Sequence, residues 1–303
     1  MKPAAFDYRA PATLDEAVAL LAADPGAKPI AGGQSLMPVL NFRLAAPSLL
    51  VDLRHLPGLG DIAIGPDGVR LGAKVRWRDI EDDARLQIAH PLLRAAVGHV
   101  AHYQIRNRGT VGGSLAHADP AAELPGIAVT CDAAIAVVGA TGPRTIPAAV
   151  FFTGPLTTVL RPDEIITELR LPPWPTGRHW AFREFARRQG DFALAGVALY
   201  YDADERGRAS RPHVGVIGAC SWPHRLPMAE AALAGRTIDE PTIRAAAEAA
   251  GAAVDPPDDL HASAAYRRAL VTTLVERALR AAAAPTLTLP RDRGREGRGR
   301  GSG

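Results

Sequence analysis

The stretch 106–125, reading RNRGTVGGSLAHADPAAELP, constrains this chain more than any other. Gly109, Gly112 and Gly113 cluster there in a turn flanked by Thr110 and Ser114. Glycine lets backbone approach a ligand or another segment closely and takes positive φ at little cost. Peptide N–H groups gathered in such a turn suit a pyrophosphate. The carboxylates of Asp119 and Glu123 beyond it suit sugar hydroxyls. Asp119-Pro120 reads as a helix start with proline at its first position, and that helix is expected to run to about Val129. Taken alone, the same stretch also fits a glycine-punctuated loop between two core elements.

A second diglycine lies about 80 positions earlier, in Ala31-Gly32-Gly33-Gln34-Ser35-Leu36. Upstream of it, Thr13 and Glu16 have the spacing of a capping box. Leu14, Ala17, Val18, Leu20 and Leu21 then recur at helical intervals as far as Asp24-Pro25-Gly26. Lys28-Pro29-Ile30 is a short strand candidate running into the diglycine, and 49–53 reads as a buried strand. The segment 6–56 is thus a small α/β unit. The lysine-bearing phosphate loop is missing from the sequence. Gly58-Leu59-Gly60-Asp61-Ile62-Ala63 imitates a dinucleotide fingerprint, but Gly65-Pro66-Asp67-Gly68 follows at once and predicts a hairpin where that fingerprint needs a helix.

From position 61 the pattern is mixed. Strands are expected at 61–64, 69–73, 133–138, 144–146 and 165–171, with helices at 77–83, 91–100 and 119–129. The run PPWPTG at 172–177 is a boundary. Beyond it, 179–188, 193–202 and 212–219 read as strands, and 227–233, 240–250 and 264–284 as helices. Strands followed by helices indicate an α+β domain.

The length of 303 residues fits two or three domains. Hydrophobic residues make up 47% of the chain, yet no run reaches the roughly 18 apolar residues of a membrane span. Asp7, Arg9, Asp15 and Glu16 interrupt the N-terminus where a signal peptide would be apolar. Cys131 and Cys220 are the only cysteines, so no disulfide framework, zinc set or iron–sulfur set is present, and a reducing cytoplasm is the expected location. His99, His102 and His117 lack the carboxylate and spacing of a metal site, and no metal is expected. The formal charge is +3, and five arginines against two acids after position 284 account for all of it. The body is neutral, which argues against a nucleic-acid groove.

The two diglycine turns, together with the AHADPAAELP, DEIITELRLP and ARRQGDFALAGVA segments in this order, resemble one flavoprotein family. It is the FAD-binding medium subunit of the molybdenum hydroxylases, represented by aerobic carbon monoxide dehydrogenase, with related versions in xanthine dehydrogenase and 4-hydroxybenzoyl-CoA reductase. The resemblance runs from about Lys2 to Ala282. It implies an α+β chain: an FAD-binding domain of two lobes (1–57 and 58–176, of the PCMH type), a C-terminal domain of three antiparallel strands and a helix bundle (177–284), and an unfolded Gly/Arg tail (285–303).

The resemblance also implies site residues. Pro29, Ile30, Ala31, Gly32, Gly33, Gln34, Ser35 and Leu36 would form the first pyrophosphate turn. Thr110, Val111, Gly112, Gly113 and Ser114 would form the second, at the flavin and pyrophosphate. A ligand role would fall to Glu123 or to Asp119. Ile166 or Thr167 would lie near the adenine or the ring edge. Arg183 would contact the cofactor, and Asp191 and Phe192 belong to a turn approaching the isoalloxazine ring. No catalytic side chain is implied. Molybdopterin and [2Fe–2S] clusters would reside on a large and a small partner subunit, in a dimer of heterotrimers. FAD here would pass electrons from those clusters to an external acceptor. Two rival readings remain, a free-standing FAD oxidase and an assembly module without FAD. Bulky residues at Gly33 or Gly113 are expected to damage flavin binding, and Gln34 to tolerate change.

Overall fold

The computed structural model describes residues 2–284. The tail read at 285–303 lies outside the described residues. The first unit contains β1 (Asp7–Arg9), α1 (Leu14–Ala23), β2 (Lys28–Ile30), α2 (Leu36–Asn41) and β3 (Leu49–Asp52). Its sheet is parallel, with β3 between β1 and β2. All four residues of β3 are buried, as expected for a central parallel strand. Thr13 caps α1 by accepting from the Glu16 N–H at 3.2 Å. The return bond of the capping box shifts by one residue, because Glu16 accepts from Ala12. Ala17, Val18 and Leu21 then pack on Val51, Leu53 and Leu56.

The second unit opens with the hairpin of β4 (Ile62–Gly65) and β5 (Gly68–Gly72). Four short helices follow: α3 (Trp77–Asp82), α4 (Leu86–Ala89), α5 (Pro91–Val97) and α6 (Tyr103–Arg106). Next come α7 (Val111–His117) and α8 (Glu123–Thr130), then β6 (Ala134–Gly139), β7 (Gly142–Pro147), the small pair β8 (Phe152–Gly154) and β9 (Thr157–Thr158), and β10 (Ile165–Leu171). The five long strands form an antiparallel sheet ordered β4-β5-β10-β6-β7. Leu71, Val137 and Leu169 from that sheet meet Leu93, Val97, Leu115 and Ile127 from the helices. Central β10 serves two cores, with Ile165 in the first and Ile166 in the second.

The third unit comprises β11 (His179–Phe185), β12 (Ala195–Ala203), β13 (Ala209–Ile217), the two-residue β14 (His224–Arg225), α9 (Pro227–Leu233), α10 (Glu240–Ala253) and α11 (Ala264–Ala283). The sheet has four strands in sequence order, the fourth too short to read from its residues. Its two faces bury different things. Val197, Leu199 and Tyr201 face the helices of this unit, while Ala198 and Tyr200 face the core of the second unit. Alternation along one strand therefore joins the third unit to the second.

The expected helix at 119–129 is corrected. Helix α7 already occupies the glycine stretch, Ala118 turns it off at φ 53°, and α8 begins only at Glu123. Asp119 Oδ1 accepts from the Ala121 N–H at 2.9 Å, and the Pro120 carbonyl accepts from the Gly218 N–H at 2.9 Å. Those bonds hold 119–122 in a turn against the third unit and deny Pro120 its helical start.

Arg267 of α11 is 4% exposed. Its Nη1 donates to the carbonyls of Leu194 (2.7 Å) and Gly218 (2.8 Å), and its Nη2 to Asp259 (2.6 Å). It thus ties the bundle to the ends of β12 and β13. Arg267→Met should lower unfolding free energy by about 2–4 kcal/mol, because it strands two buried carbonyls. Urea denaturation checks this, and a loss under about 0.5 kcal/mol, ordinary for a surface change, would refute it.

Candidate functional site

The first diglycine turn links β2 to α2. Gly33 sits at φ 73°, in the left-handed region glycine favours. Carbonyls of the turn are occupied: Met37 N–H donates to Gly33, Val39 N–H to Ser35, and the Gln34 side chain to Gly32 at 3.1 Å. Among the described residues, no backbone carbonyl accepts from the N–H groups of Gly32, Gly33, Gln34 or Ser35. Successive free amides in a turn with one left-handed residue form a concave donor set for an anion.

The second diglycine behaves otherwise. Thr110 caps α7, and its Oγ1 accepts from the Gly113 N–H at 3.1 Å. Val111 N–H donates to Val75, Gly112 N–H to Ala73 and Ser114 N–H to Thr110. The amides expected to face a pyrophosphate here are spent fastening α7 to 73–75. The glycines serve close approach instead, since a Cβ on Gly112 would lie 2.7 Å from Ala73 Cβ. A Cβ on Gly32 would lie 2.1 Å from the Arg108 carbonyl oxygen and 3.1 Å from Gly109 Cα. The two turns therefore meet backbone to backbone, and only the first offers free donors.

A cleft of about 470 Å³ opens at this junction, lined by Ala31, Gly32 and Thr110 and by Arg54, Lys74, Arg76 and Arg108. Two acids temper the cations. Burial opposes ionisation of Asp52, but hydrogen bonds from Arg54 and Tyr8 outweigh it and hold the carboxyl below its usual range. Asp79 accepts from the Arg76 N–H at 2.8 Å. Burial lowers the Lys74 pKa, and Nζ donates to the carbonyls of Arg54 and Leu56. The Arg108 guanidinium reaches only the Gly32 carbonyl, at 3.4 Å. None of these four cations was legible as a ligand from the sequence. Arg108 alone had a signal, its place inside RNRG beside the second diglycine.

The other expected residues are dispersed. Ile166 is in the second core, and Thr167 Oγ1 donates to the Ala136 carbonyl, so neither lines the cleft. Arg183 is exposed and donates to the carbonyl of Phe182. Asp191 and Phe192 lie on an exposed turn, with Phe192 72% exposed. That turn presses on the second unit, since a Cβ on Gly190 would lie 2.6 Å from His102 Nδ1. Glu123 opens α8, and its pKa is pushed up to about 7, by burial first and then by the Asp119 charge, against its own N–H. Glu184, which sequence reasoning missed, has a pKa pushed up to about 8 by burial and by Glu123. His99 packs edge-on against Phe182. Among the described residues, no group of three His, Cys, Asp or Glu side chains could hold a metal ion.

Free amides in the first turn, locked to the second unit beside a cation-lined cleft, suit an anionic group such as a phosphate. Residues 4–174 match the model of the FAD binding domain in molybdopterin dehydrogenase, and 180–282 match the CO dehydrogenase flavoprotein C-terminal domain. The 6-hydroxypseudooxynicotine dehydrogenase complex subunit alpha of Paenarthrobacter nicotinovorans is 42% identical, over 92% of this chain and 95% of its own. The carbon monoxide dehydrogenase medium chain of Hydrogenophaga pseudoflava is 35% identical, over 93% and 98%. Quinoline 2-oxidoreductase from Pseudomonas putida 86 superposes with a TM-score of 0.88 at 38% identity, covering 93% of this chain and 98% of the other. The chain belongs to the FAD-binding flavoprotein subunits of the molybdenum hydroxylases.

Gly32→Ala should separate the two turns, because its methyl meets backbone and no rotamer relieves it. Thermal melting is expected to show a destabilised protein. Gln34→Ala, which loses one local bond, should melt within a degree or two of the parent, a shift typical of about 0.5 kcal/mol. Equal melting of all three proteins would contradict the packing described.

Proposed function

We propose that this chain is the FAD-carrying electron-transfer subunit of a heteromeric molybdenum hydroxylase. The four unpaired amides of 32–35, beside a cation-lined cleft that Gly32 itself lines, carry the reading. They would take the pyrophosphate oxygens, with Arg76 and Arg108 balancing its charge. Pro29, Ile30, Ala31 and Leu36 hold that cradle in place, and Thr110–Ser114 provide the opposing wall. The turn bearing Asp191 and Phe192 approaches the ring, with Arg183, Asp119 and Glu123 around it, and Ile166 supports the wall from the core. The boundaries at 57 and 176 separate the two lobes from each other and from the C-terminal domain.

Bound flavin would supply the redox chemistry. The chain's part is to bind, orient and shield it, and no side chain acts as acid or base. Electrons would arrive from [2Fe–2S] clusters of a small subunit, after hydroxylation at molybdenum on a large one, and leave to an external acceptor. Relatives are a medium chain, a medium subunit and a complex subunit alpha, which supports a multi-subunit complex, and we take it as a dimer of heterotrimers. Identity is higher to the two subunits from nicotine-related complexes, at 42% and 41%, than to carbon monoxide dehydrogenase medium chains, at 35% and 32%. That difference favours a nitrogen-heterocycle hydroxylase. No helix among the described residues is long and apolar enough to cross a membrane, and both cysteines are free and buried, which supports a cytoplasmic complex.

Reconstitution with FAD should give an oxidised flavin spectrum at one flavin per chain, with all flavin released by acid precipitation. Arg76→Ala and Arg108→Ala should each weaken FAD binding by about tenfold, the worth of one charge-assisted bond. A colourless protein after reconstitution would defeat the proposal, and flavin retained in the acid pellet would favour a covalently tethered oxidase. The tagged chain, co-expressed with its neighbouring reading frames, should co-purify with a molybdenum subunit and an iron–sulfur subunit.

A further inference from the structure

One short segment of the second unit touches both α7 and the first unit. Residues 73–76 run between β5 and α3, and their side chains alternate. Ala73 and Val75 enter the core of the second unit, while Lys74 and Arg76 line the cleft. The carbonyls of Ala73 and Val75 hold the amides of Gly112 and Val111. The same segment also reaches the first unit. Lys74 N–H donates to the Leu59 carbonyl at 2.6 Å, and a Cβ on Gly72 would lie 2.5 Å from that oxygen. Lys74 Nζ donates to the carbonyls of Arg54 (2.9 Å) and Leu56. Leu53, Leu56 and Leu59, which carry or flank those carbonyls, belong to the first core.

The turn that Lys74 grips is itself braced from the first sheet. Asp52 ends β3 with a buried carboxylate. It accepts from the Tyr8 hydroxyl of β1 at 2.7 Å, and from Arg54 through its N–H at 2.8 Å and its Nε at 2.7 Å. A continuous path of hydrogen bonds thus runs from β1 through Asp52 and Arg54 to Lys74, and the last three line the same cleft. The charges acting on Lys74 come from both units: Asp52 supports its ammonium and Arg76 opposes it. Arg54 meets it through a carbonyl, and Asp79 of α3 and Arg108 share the cleft with it. Tyr8 reaches it only through Asp52, whose bond raises the tyrosine above its ordinary pKa.

We propose that Lys74 is the positioning residue of the cleft: its side chain clamps the 53–56 turn of the first unit to the segment that anchors α7, and so holds Gly32, Arg76 and Arg108 around one anionic group. The anion's being the dinucleotide rests on the FAD reading above. The approach of Gly32 to the Arg108 carbonyl is one contact between the units, and the Lys74 clamp is a second. The cleft cannot change width without breaking one of them. A site held ready in this way binds more tightly, because less freedom is lost on binding. An ammonium donates about twice as strongly as a neutral amine, so the clamp weakens when Lys74 loses its proton. Burial, the largest cause, lowers the Lys74 pKa from its ordinary value. The charge is therefore lost at lower pH than that of a free lysine, and dinucleotide affinity falls as pH rises through that window.

The test compares the whole parent chain with Lys74→Met and Lys74→Arg. Methionine keeps nearly the length of the side chain without its donors, and arginine keeps the charge and does not titrate. At pH 7.5, Lys74→Met should raise the Kd for FAD, read by flavin fluorescence, about tenfold. Lys74→Arg should stay within about threefold of the parent. Between pH 7.5 and 10.5 the parent's Kd should rise about fivefold relative to that of the arginine variant, a ratio in which titration of the flavin itself cancels. Without flavin, amide hydrogen exchange in 53–60 should be about tenfold faster in Lys74→Met and parent-like in Lys74→Arg. FAD affinity within twofold of the parent in the methionine variant overturns the positioning role. Parent-like exchange in that variant overturns the clamp, since Lys74 would then act by charge alone. A parent-to-arginine Kd ratio that stays constant with pH overturns the part given to the ammonium, and it is read even where Lys74→Met does not fold. FAD binding by none of the proteins at any pH would instead defeat the cofactor reading, and hydrogen exchange alone would then judge the clamp.

Discussion

The close approach of backbone at Gly32 to the carbonyl of Arg108 is the contact on which the site depends. At that point two units with separate cores touch without a side chain between them. The contact fixes where the cradle opens and which surface faces it. The residues on either side divide the labour. Gly32–Ser35 keep their amides free because the turn satisfies its carbonyls and not its donors. Thr110–Ser114 do the reverse and spend their amides as an anchor. Two turns of similar composition thus differ, one leaving its amides free and one spending them as a clamp.

Placement of the C-terminal unit follows from strand alternation. Residues of β12 facing one way pack on helices of their own unit, and those facing the other way close the core of the second. Glycines at 126, 196 and 215 then let α8 lie almost on the sheet. The segment 119–122 and the Gly190 turn lie along contacts between the second and third units, through the Gly218–Pro120 bond and the approach of Gly190 to His102.

Much of the architecture was legible. The helix from Leu14, the hairpin at 62–72, the central strand at 165–171 and the three C-terminal helices each carry a periodic apolar pattern with a cap or turn residue at the end. What was not legible was short or borrowed. Strands β1, β8, β9 and β14 span two or three residues and exist because a neighbour pairs with them. Helix α7 was read as a turn, because diglycine is a poor helix former and only tertiary bonds to 73–75 and the Thr110 cap hold it. The helix start at Asp119 was misread because the bond from Gly218 to Pro120 lies 98 positions away in sequence.

For the site, the sequence by itself determined that two diglycine stretches matter and that they belong to one flavoprotein family, because glycine at a close approach admits no substitute and so marks its place. Which amides stay free, which arginines line the cleft, and that Glu184 points toward the second unit while Arg183 is exposed were decided only by the tertiary structure. Each depends on a partner distant in the chain: Ala73 and Val75 for the amides, the junction of two units for the cations, and the register of β11 against β12 for the acid. Hydrogen-bond satisfaction and strand facing are properties of pairs, and the pairs form only on folding.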